Sequence, residues 1–303
     1  MINFILIFLC ISAGMLIARQ NIIPKDSYKG INAWLLYVAL PALALRYVPE
    51  IQWDITIIIP AISPILVGFG SFLFFSIYAQ KAKLDAQTKT ALIVTSGLGN
   101  TSFLAFPLIT AFYGEENIKY AIVFDQMTFL LFSTLVVTLV LKTASTQKVT
   151  ATTILKKVFL FPSFLATLIA LIVSPFWDFS FINPFLNKIL ATLSPLALFS
   201  IGLQLRFGEW HSEAKNLFWS LGYKLLFAPF IIFLILLIFG GTGNFAKVII
   251  FEAAMPAHVT ASLLLSQYDL KPRLCNLLIG FGIVASFFTS AFWYWICGIF
   301  IQP

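Results

Sequence analysis

Four ionisable side chains lie where an apolar chain offers them no water. Asp125 stands in AIVFDQMTFLLF, Lys224 in WSLGYKLLFAPF, and Glu252 and His258 in FEAAMPAHVTASLLL. A charge at the centre of a membrane helix costs at least about 2.5–3.5 kcal/mol on insertion scales, so such residues are functional candidates by default. Asp125 reads as a carboxylate that couples transport to a proton or cation. Its competing reading is a buried partner for Lys224 that only fixes helix packing, and a Lys–Asp pair opened by protonation or substrate would itself be a coupling device. Lys224 is too deep in its span to snorkel to the surface; it reads as a holder of a substrate carboxylate or as half of a permanent salt bridge. Glu252, one helical turn before Pro256, reads as a cation ligand or as a residue facing a water-filled entrance. His258 reads as a proton relay near neutral pH or as a hydrogen-bonded packing residue.

A second group of polar residues interrupts a span outright. Thr95 to Gly114 reads TSGLGNTSFLAFPLITAFYG, with Gly97, Gly99 and Pro107 disfavouring a continuous helix and Asn100, Thr101 and Ser102 between them. Irregular backbone survives in hydrocarbon only where protein or a water-filled cavity covers it. A matching interruption, Pro256, Ala257 and His258, falls in a later apolar segment. Paired interruptions in two halves of a chain point to discontinuous helices around a midplane site. Half-helix ends there would offer partial charges to an ion or an anionic substrate. The plain alternative is close helix packing through Gly and Ser, with Pro107 as a kink. The candidate substrate site is thus Asn100, Thr101, Ser102, Pro107, Pro256, Ala257 and His258, with Asp125, Lys224 and Glu252 as candidate ion-coupling residues.

The elements that must position these residues are membrane spans. Hydrophobic residues make up 60% of the 303 residues and charged ones 10%, far from soluble usage. At roughly 20 apolar residues per span, the chain holds about ten. They are expected near 3–18, 32–48, 55–79, 88–113, 118–141, 154–175, 185–205, 214–239, 244–269 and 273–301. Basic residues test this division: fourteen fall at or near the loops after odd-numbered spans, against four, Arg46, Lys119, Lys188 and Lys247, on the opposite side. The positive-inside rule then places the odd loops in the cytoplasm and both termini on the other side of the cell (inner) membrane. Trp53, Tyr113, Trp177, Trp210 and Trp219 read as interface anchors. MINFILIFLCISAGMLIA reads as a first span and not as a cleaved leader.

The chain also looks duplicated. LYVALPALALRYV (Leu36 to Val48) resembles LATLSPLALFSIG (Leu190 to Gly202), and the two lie five spans apart. An odd offset makes the repeat inverted. The expected architecture is an all-α membrane protein of ten transmembrane helices in two inverted five-helix repeats, 1–148 and 149–303, forming one membrane domain with broken helices four and nine crossed.

Several chemistries are excluded by what the sequence lacks. There is no Walker A sequence to supply energy, and HExxH, GxSxG and adjacent aspartates are all missing, so the familiar hydrolase and prenyl-transfer chemistries have no footing. Cys10, Cys275 and Cys297 have neither CxxC nor metal-ligand spacing. No metal, cofactor or nucleic-acid partner is expected, and the bilayer and a coupling proton or sodium ion are the surroundings the residues call for. A secondary carrier of small organic anions is the leading reading. A sodium/proton exchanger, or a channel or sensor on the same scaffold, remains open beside it.

The motifs LPALAL, GNTSFLAFPLITAFYG, SPLALFSIGLQL, KLLFAP and EAAMPAHVTASLLLSQYDL, in this order over nearly the whole chain, resemble those of the auxin efflux carrier family and its bacterial malate and malonate carriers. The resemblance implies a scaffold domain and a transport domain, an elevator-like motion, organic anions as substrates and a homodimer formed through the scaffold. It places the crossing of helices four and nine at Pro107 and Pro256, with Asn100 and Thr101 lining the site, and puts Lys224 where a sodium ion sits in related carriers. Plant members carry a long central cytoplasmic loop that this chain lacks. The family often has a small residue where His258 stands, so no role for His258 is inherited.

Overall fold

A computed structural model describes residues 2–20, 22–24, 26–51, 54–144, 160–176, 178, 180–205, 208 and 210–301. Among them all regular structure is helical, with no strand. Seven helices are long and apolar enough to span a membrane: α1 (Ile2–Gln20), α2 (Ser27–Glu50), α3 (Ile58–Ala82), α6 (Glu115–Thr143), α8 (Ser180–Gln204), α9 (His211–Ile238) and α12 (Pro272–Phe300). The rest are shorter: α4 (Ala86–Gly97) and α5 (Thr101–Phe112), α7 (Pro162–Val173), α10 (Gly243–Ala253) and α11 (Val259–Gln267). Residues 145–159, where the sixth expected span begins, lie outside the described residues, as do Trp53 and Trp177.

The pieces group into two compact units that interleave along the sequence. One comprises Met1–Asp54, Ser102–Ile122 and Leu155–Leu205; the other comprises Ile55–Thr101, Val123–Ile154 and Arg206–Pro303. This grouping cuts across a division at residue 148, because each unit draws segments from both halves of the chain.

In the first unit α1 packs along α8 and α7 along α2. A Cβ on Gly14 would strike the Phe199 carbonyl oxygen, and one on Gly202 the Ile11 carbonyl oxygen, so bare backbone sets the approach of α1 and α8. Ser200 Oγ donates to Asn32 Oδ1 at 2.5 Å and Trp34 Nε1 to Thr192 Oγ1 at 2.9 Å, tying α2 to α8. Near one end, Tyr47 donates to Glu115 and Arg46 pairs with Glu50.

In the second unit α3 packs on α4 and α9 on α10, while α12 runs beside α9, α10 and α11. Large apolar side chains stay exposed here, Phe69 at 60% and Phe288 at 75%, an outward face suited to lipid and not to water.

Three of the prolines inside long helical runs share one arrangement. Pro41, Pro107 and Pro229 each come two residues after a wide π turn, Leu35–Ala39, Thr101–Ala105 and Tyr223–Phe227 respectively. Proline has no N–H for the carbonyl four residues back and crowds it, and in each case that carbonyl sits in the middle of the wide turn, which relieves the crowding. At Pro229 the carbonyl is that of Leu225. It accepts from Trp293 Nε1 at 2.9 Å instead.

Candidate functional site

The two interrupted helices meet within the second unit. α4 stops at Gly97, and Leu98 turns to extended backbone with φ −118° and ψ 131°. α10 stops at Ala253, and His258, with φ −67° and ψ 119°, opens α11. Between the breaks, Gly99 and Ala257 form an isolated antiparallel bridge. Asn100 N donates to Pro256 O at 2.8 Å and His258 N to Leu98 O at 3.1 Å. Each break thus satisfies the backbone groups that the other frees, the condition for leaving a helix inside a membrane.

The position of the crossing corrects the sequence expectation. Helix four is interrupted at Leu98–Asn100, not at Pro107, because the π turn of α5 accommodates Pro107 within a continuous helical run. Ser102 and Pro107 belong to the first unit by compactness, whereas Asn100, Thr101, Asp125, Lys224, Glu252, Pro256, Ala257 and His258 all belong to the second.

Glycine at position 99 gives the Lys224 ammonium its room beside the break. A Cβ there would lie 3.2 Å from Lys224 Nζ and 3.5 Å from the Glu252 carbonyl oxygen. Lys224, only 2% exposed, reaches the end of α10 and donates to the Ala253 carbonyl at 2.6 Å. The break leaves that carbonyl without its helical donor, and an ammonium there also complements the negative end of the helix dipole. Glu252 is fully buried, and both its carboxyl oxygens lack a hydrogen-bond partner among the described residues. It lies in the electrostatic reach of Asp125 as well as Lys224.

Asp125 comes to the same region from α6. Its Oδ1 accepts from Thr101 Oγ1 at 2.6 Å and its Oδ2 from Gln126 Nε2 at 3.3 Å. Thr101, the residue after Asn100, therefore connects the break to the second acid. His258 caps α11: its Nδ1 accepts from Ala261 N at 3.3 Å, which requires an unprotonated Nδ1, and its ring stacks on Phe132 at 5.7 Å between centroids. Beside the break, Ser96 and Ser220 share a hydrogen bond of 2.6 Å that links α4 to α9.

The structure adds residues that sequence reasoning passed over. The Ala253 carbonyl carries no side-chain signal at all. Phe132 and Trp293 look like any other aromatics of an apolar chain, although Pro229 does mark Leu225 as a carbonyl in need of a donor. Among the described residues no cluster of three or more His, Cys, Asp or Glu side chains is arranged to hold a metal ion.

A membrane protein in which two interrupted helices bridge each other, with ionisable side chains buried at the breaks, has the build of a transporter. The chain belongs to the family described as membrane transport protein, the auxin efflux carrier type, whose model matches residues 1–294. It is similar to an uncharacterized transporter of Methanothermobacter thermautotrophicus, 23% identical over 284 residues and covering 92% of each chain. It is also similar to an uncharacterized transporter of Methanocaldococcus jannaschii, 23% identical over 310 residues and covering 96% of this chain and 97% of the other. The protein is a multi-pass membrane protein, and its family and these relatives are transporters.

Proposed function

We propose that the chain is a secondary carrier of small organic anions, mono- or dicarboxylate-like, that works by an elevator-type movement and draws on a proton or sodium gradient. The observation that carries this reading is the Gly99–Ala257 bridge with Lys224 and Glu252 at its edge. The bridge consumes the amides of Asn100 and His258, and His258 takes that of Ala261. Helix geometry leaves the first amides of α11, Val259 and Thr260, as donors for a substrate carboxylate, with Asn100 in the opposite break. Coupling falls to the acids: Glu252 and Asp125 take up a proton or sodium ion, and Lys224 reports the change through the Ala253 carbonyl.

The architecture supports ten spans in an inverted repeat. α4 with α5 and α10 with α11 count as one broken span each, and α7 completes the ten alongside the seven long helices. The first unit takes α1 and α2 from one half with α7 and α8 from the other. The second takes α3, α4 and α6 with α9, α10, α11 and α12. Apart from α5, which falls in the first unit while α11 falls in the second, equivalent members of the two halves share a unit, as scaffold and transport domains built by inverted duplication would. The protein is expected to act as a homodimer in the inner membrane, with both termini outside.

Uptake of labelled malate, malonate or an aromatic acid by proteoliposomes tests the proposal. Saturable uptake that follows an imposed proton or sodium gradient is expected. Asp125→Asn should remove the gradient dependence. Conductance without saturation or counterflow would make the protein a channel, and ion exchange that ignores all organic anions would make it an antiporter.

A further inference from the structure

The second unit carries an apolar groove of about 370 Å³ formed by α3, α4 and α6. One wall is the face Ile65, Gly68, Phe69 and Phe72 of α3; the other is Leu131, Leu135, Thr138 and Lys142 of α6. These spacings are those of single helix faces. From Leu131 to Lys142 the wall rises about 16 Å. The floor is α4, where Gly97 faces Gly68 so closely that a Cβ on Gly97 would lie 3.4 Å from Gly68 Cα. Missing side chains at these two lining positions open the floor. Phe69 and Leu135 are 60% and 64% exposed, so the groove opens outward to whatever surrounds the protein.

Its two ends differ. One reaches Leu98 at the helix break and is apolar. The other ends at Lys142, which is exposed, beside Lys89, whose Nζ lies 5.8 Å over the ring of groove residue Phe72. α4 and α6 touch there through Thr90 and Thr143, whose hydroxyls are 2.8 Å apart, so Lys89 and Lys142, the residues next to them in the chain, lie at the same end of the groove. The acid of the neighbouring loop, Asp85, is engaged by Lys271 at 2.8 Å, and among the described residues neither Lys89 nor Lys142 forms an ion pair. This end lies among the loops that the basic residues mark as cytoplasmic, the leaflet where anionic lipids collect basic groups.

We propose that the groove seats an acyl chain of an anionic phospholipid, with the phosphate held between Lys142 and Lys89. The apolar walls take the chain, the lysines select the headgroup, and the bound chain ends against the break in α4. A bound lipid would brace α3 and α6 on either side of the helix that carries Leu98.

The test is lipid retention by the full-length protein purified from nanodiscs of equal phosphatidylglycerol and phosphatidylcholine with identical chains, read by native mass spectrometry. Wild-type protein is expected to retain the anionic lipid roughly tenfold over the zwitterionic one, equivalent to about 1.4 kcal/mol. Lys89→Gln with Lys142→Gln should bring the ratio near one while leaving total retention of phosphatidylcholine unchanged. Gly68→Leu, which fills the groove, should lower retention of both lipids. A wild-type ratio near one, or a double variant that keeps the preference, overturns the proposal. So does displacement of the lipid by glycerol phosphate alone, which would make the basic end a site for free phosphate and not for a chain.

Discussion

Two places where helices come together in this protein solve the same problem in opposite ways. Where α1 meets α8 in the first unit, the helices remain continuous and lose side chains: Gly14 and Gly202 let backbone touch backbone. Where α4 meets α10 in the second, the helices themselves stop, and freed carbonyls and amides pair across the gap. The first arrangement depends on shape alone. The second depends on charge and hydrogen bonding, since Lys224 caps Ala253 and Thr101 holds Asp125. Damage to the first should therefore appear as lost stability with transport intact in the surviving protein, and damage to the second as altered transport even where the protein survives.

The sharpest way to break this contrast is Lys224→Met. Removing one partner from buried charges costs about 3–5 kcal/mol, and here it also uncaps the Ala253 carbonyl beside unpartnered Glu252. A lower melting temperature and at least a hundredfold loss of anion uptake are expected. Adding Glu252→Gln should restore much of the stability without restoring transport, because residues in one electrostatic group are not additive. If the double variant is as unstable as the sum of its parts, Lys224 and Glu252 do not act together. Gly202→Ala comes next. Its Cβ would strike the Ile11 carbonyl oxygen, and such overpacking costs about 1–3 kcal/mol. Uptake per folded molecule should be unchanged, and a change in gradient dependence would deny the separation between the two crossings.

How much of this was legible in advance follows the same line. Gly97, Gly99 and Asn100 announced a break because glycine and asparagine are poor helix formers wherever they sit, and Pro256 announced its partner. Pro107 misled, since proline looks the same in sequence whether a helix ends there or widens into a π turn around it. Glu252, Lys224 and Asp125 stood out as ionisable groups in apolar runs. Their connections did not: a backbone carbonyl such as that of Ala253 has no residue code, and its exposure to Lys224 arises only when α9 is packed against α10. The interleaving of the two units was likewise hidden, because the order of helices along the chain does not say which of them pack together.

A narrower test within the broken crossing is Thr101→Val, which keeps shape and removes the hydroxyl that donates to Asp125. Hydrogen bonds to charged groups are worth about 1.5–3 kcal/mol, so a loss of about 2 kcal/mol is expected if Asp125 is ionised. Thr101→Ser should recover it. The informative readout is the pH profile of uptake, which moves with Thr101→Val if Asp125 carries the coupling proton and stays fixed if the contact only holds α6 in place.

The smallest effect belongs to a contact that supports the second unit from its edge. Asp85 caps α4, accepting from Thr88 N at 2.7 Å, and pairs with Lys271 before α12. Burial alone would raise its carboxyl, but the hydrogen bonds from Lys271 and Thr88 outweigh burial and hold it below its ordinary value of 3.8. A group with a depressed folded value adds stability above its unfolded value and gives it up as pH falls through the folded one. The contribution is therefore complete near pH 7 and disappears in acid below about pH 4. Asp85 and Lys271 are 56% and 35% exposed, so screening reduces their pairing to about 0.5 kcal/mol or less. Asp85→Asn preserves a good cap and removes only the charge. Melting curves of variant and wild type should thus differ by a degree or so near pH 7 at low salt, converge in acid, and converge also at high salt. A difference that persists at pH 3 would assign the effect to the cap and not to the ion pair, and α4 would then reach its break held by shape alone, like the helices of the other crossing.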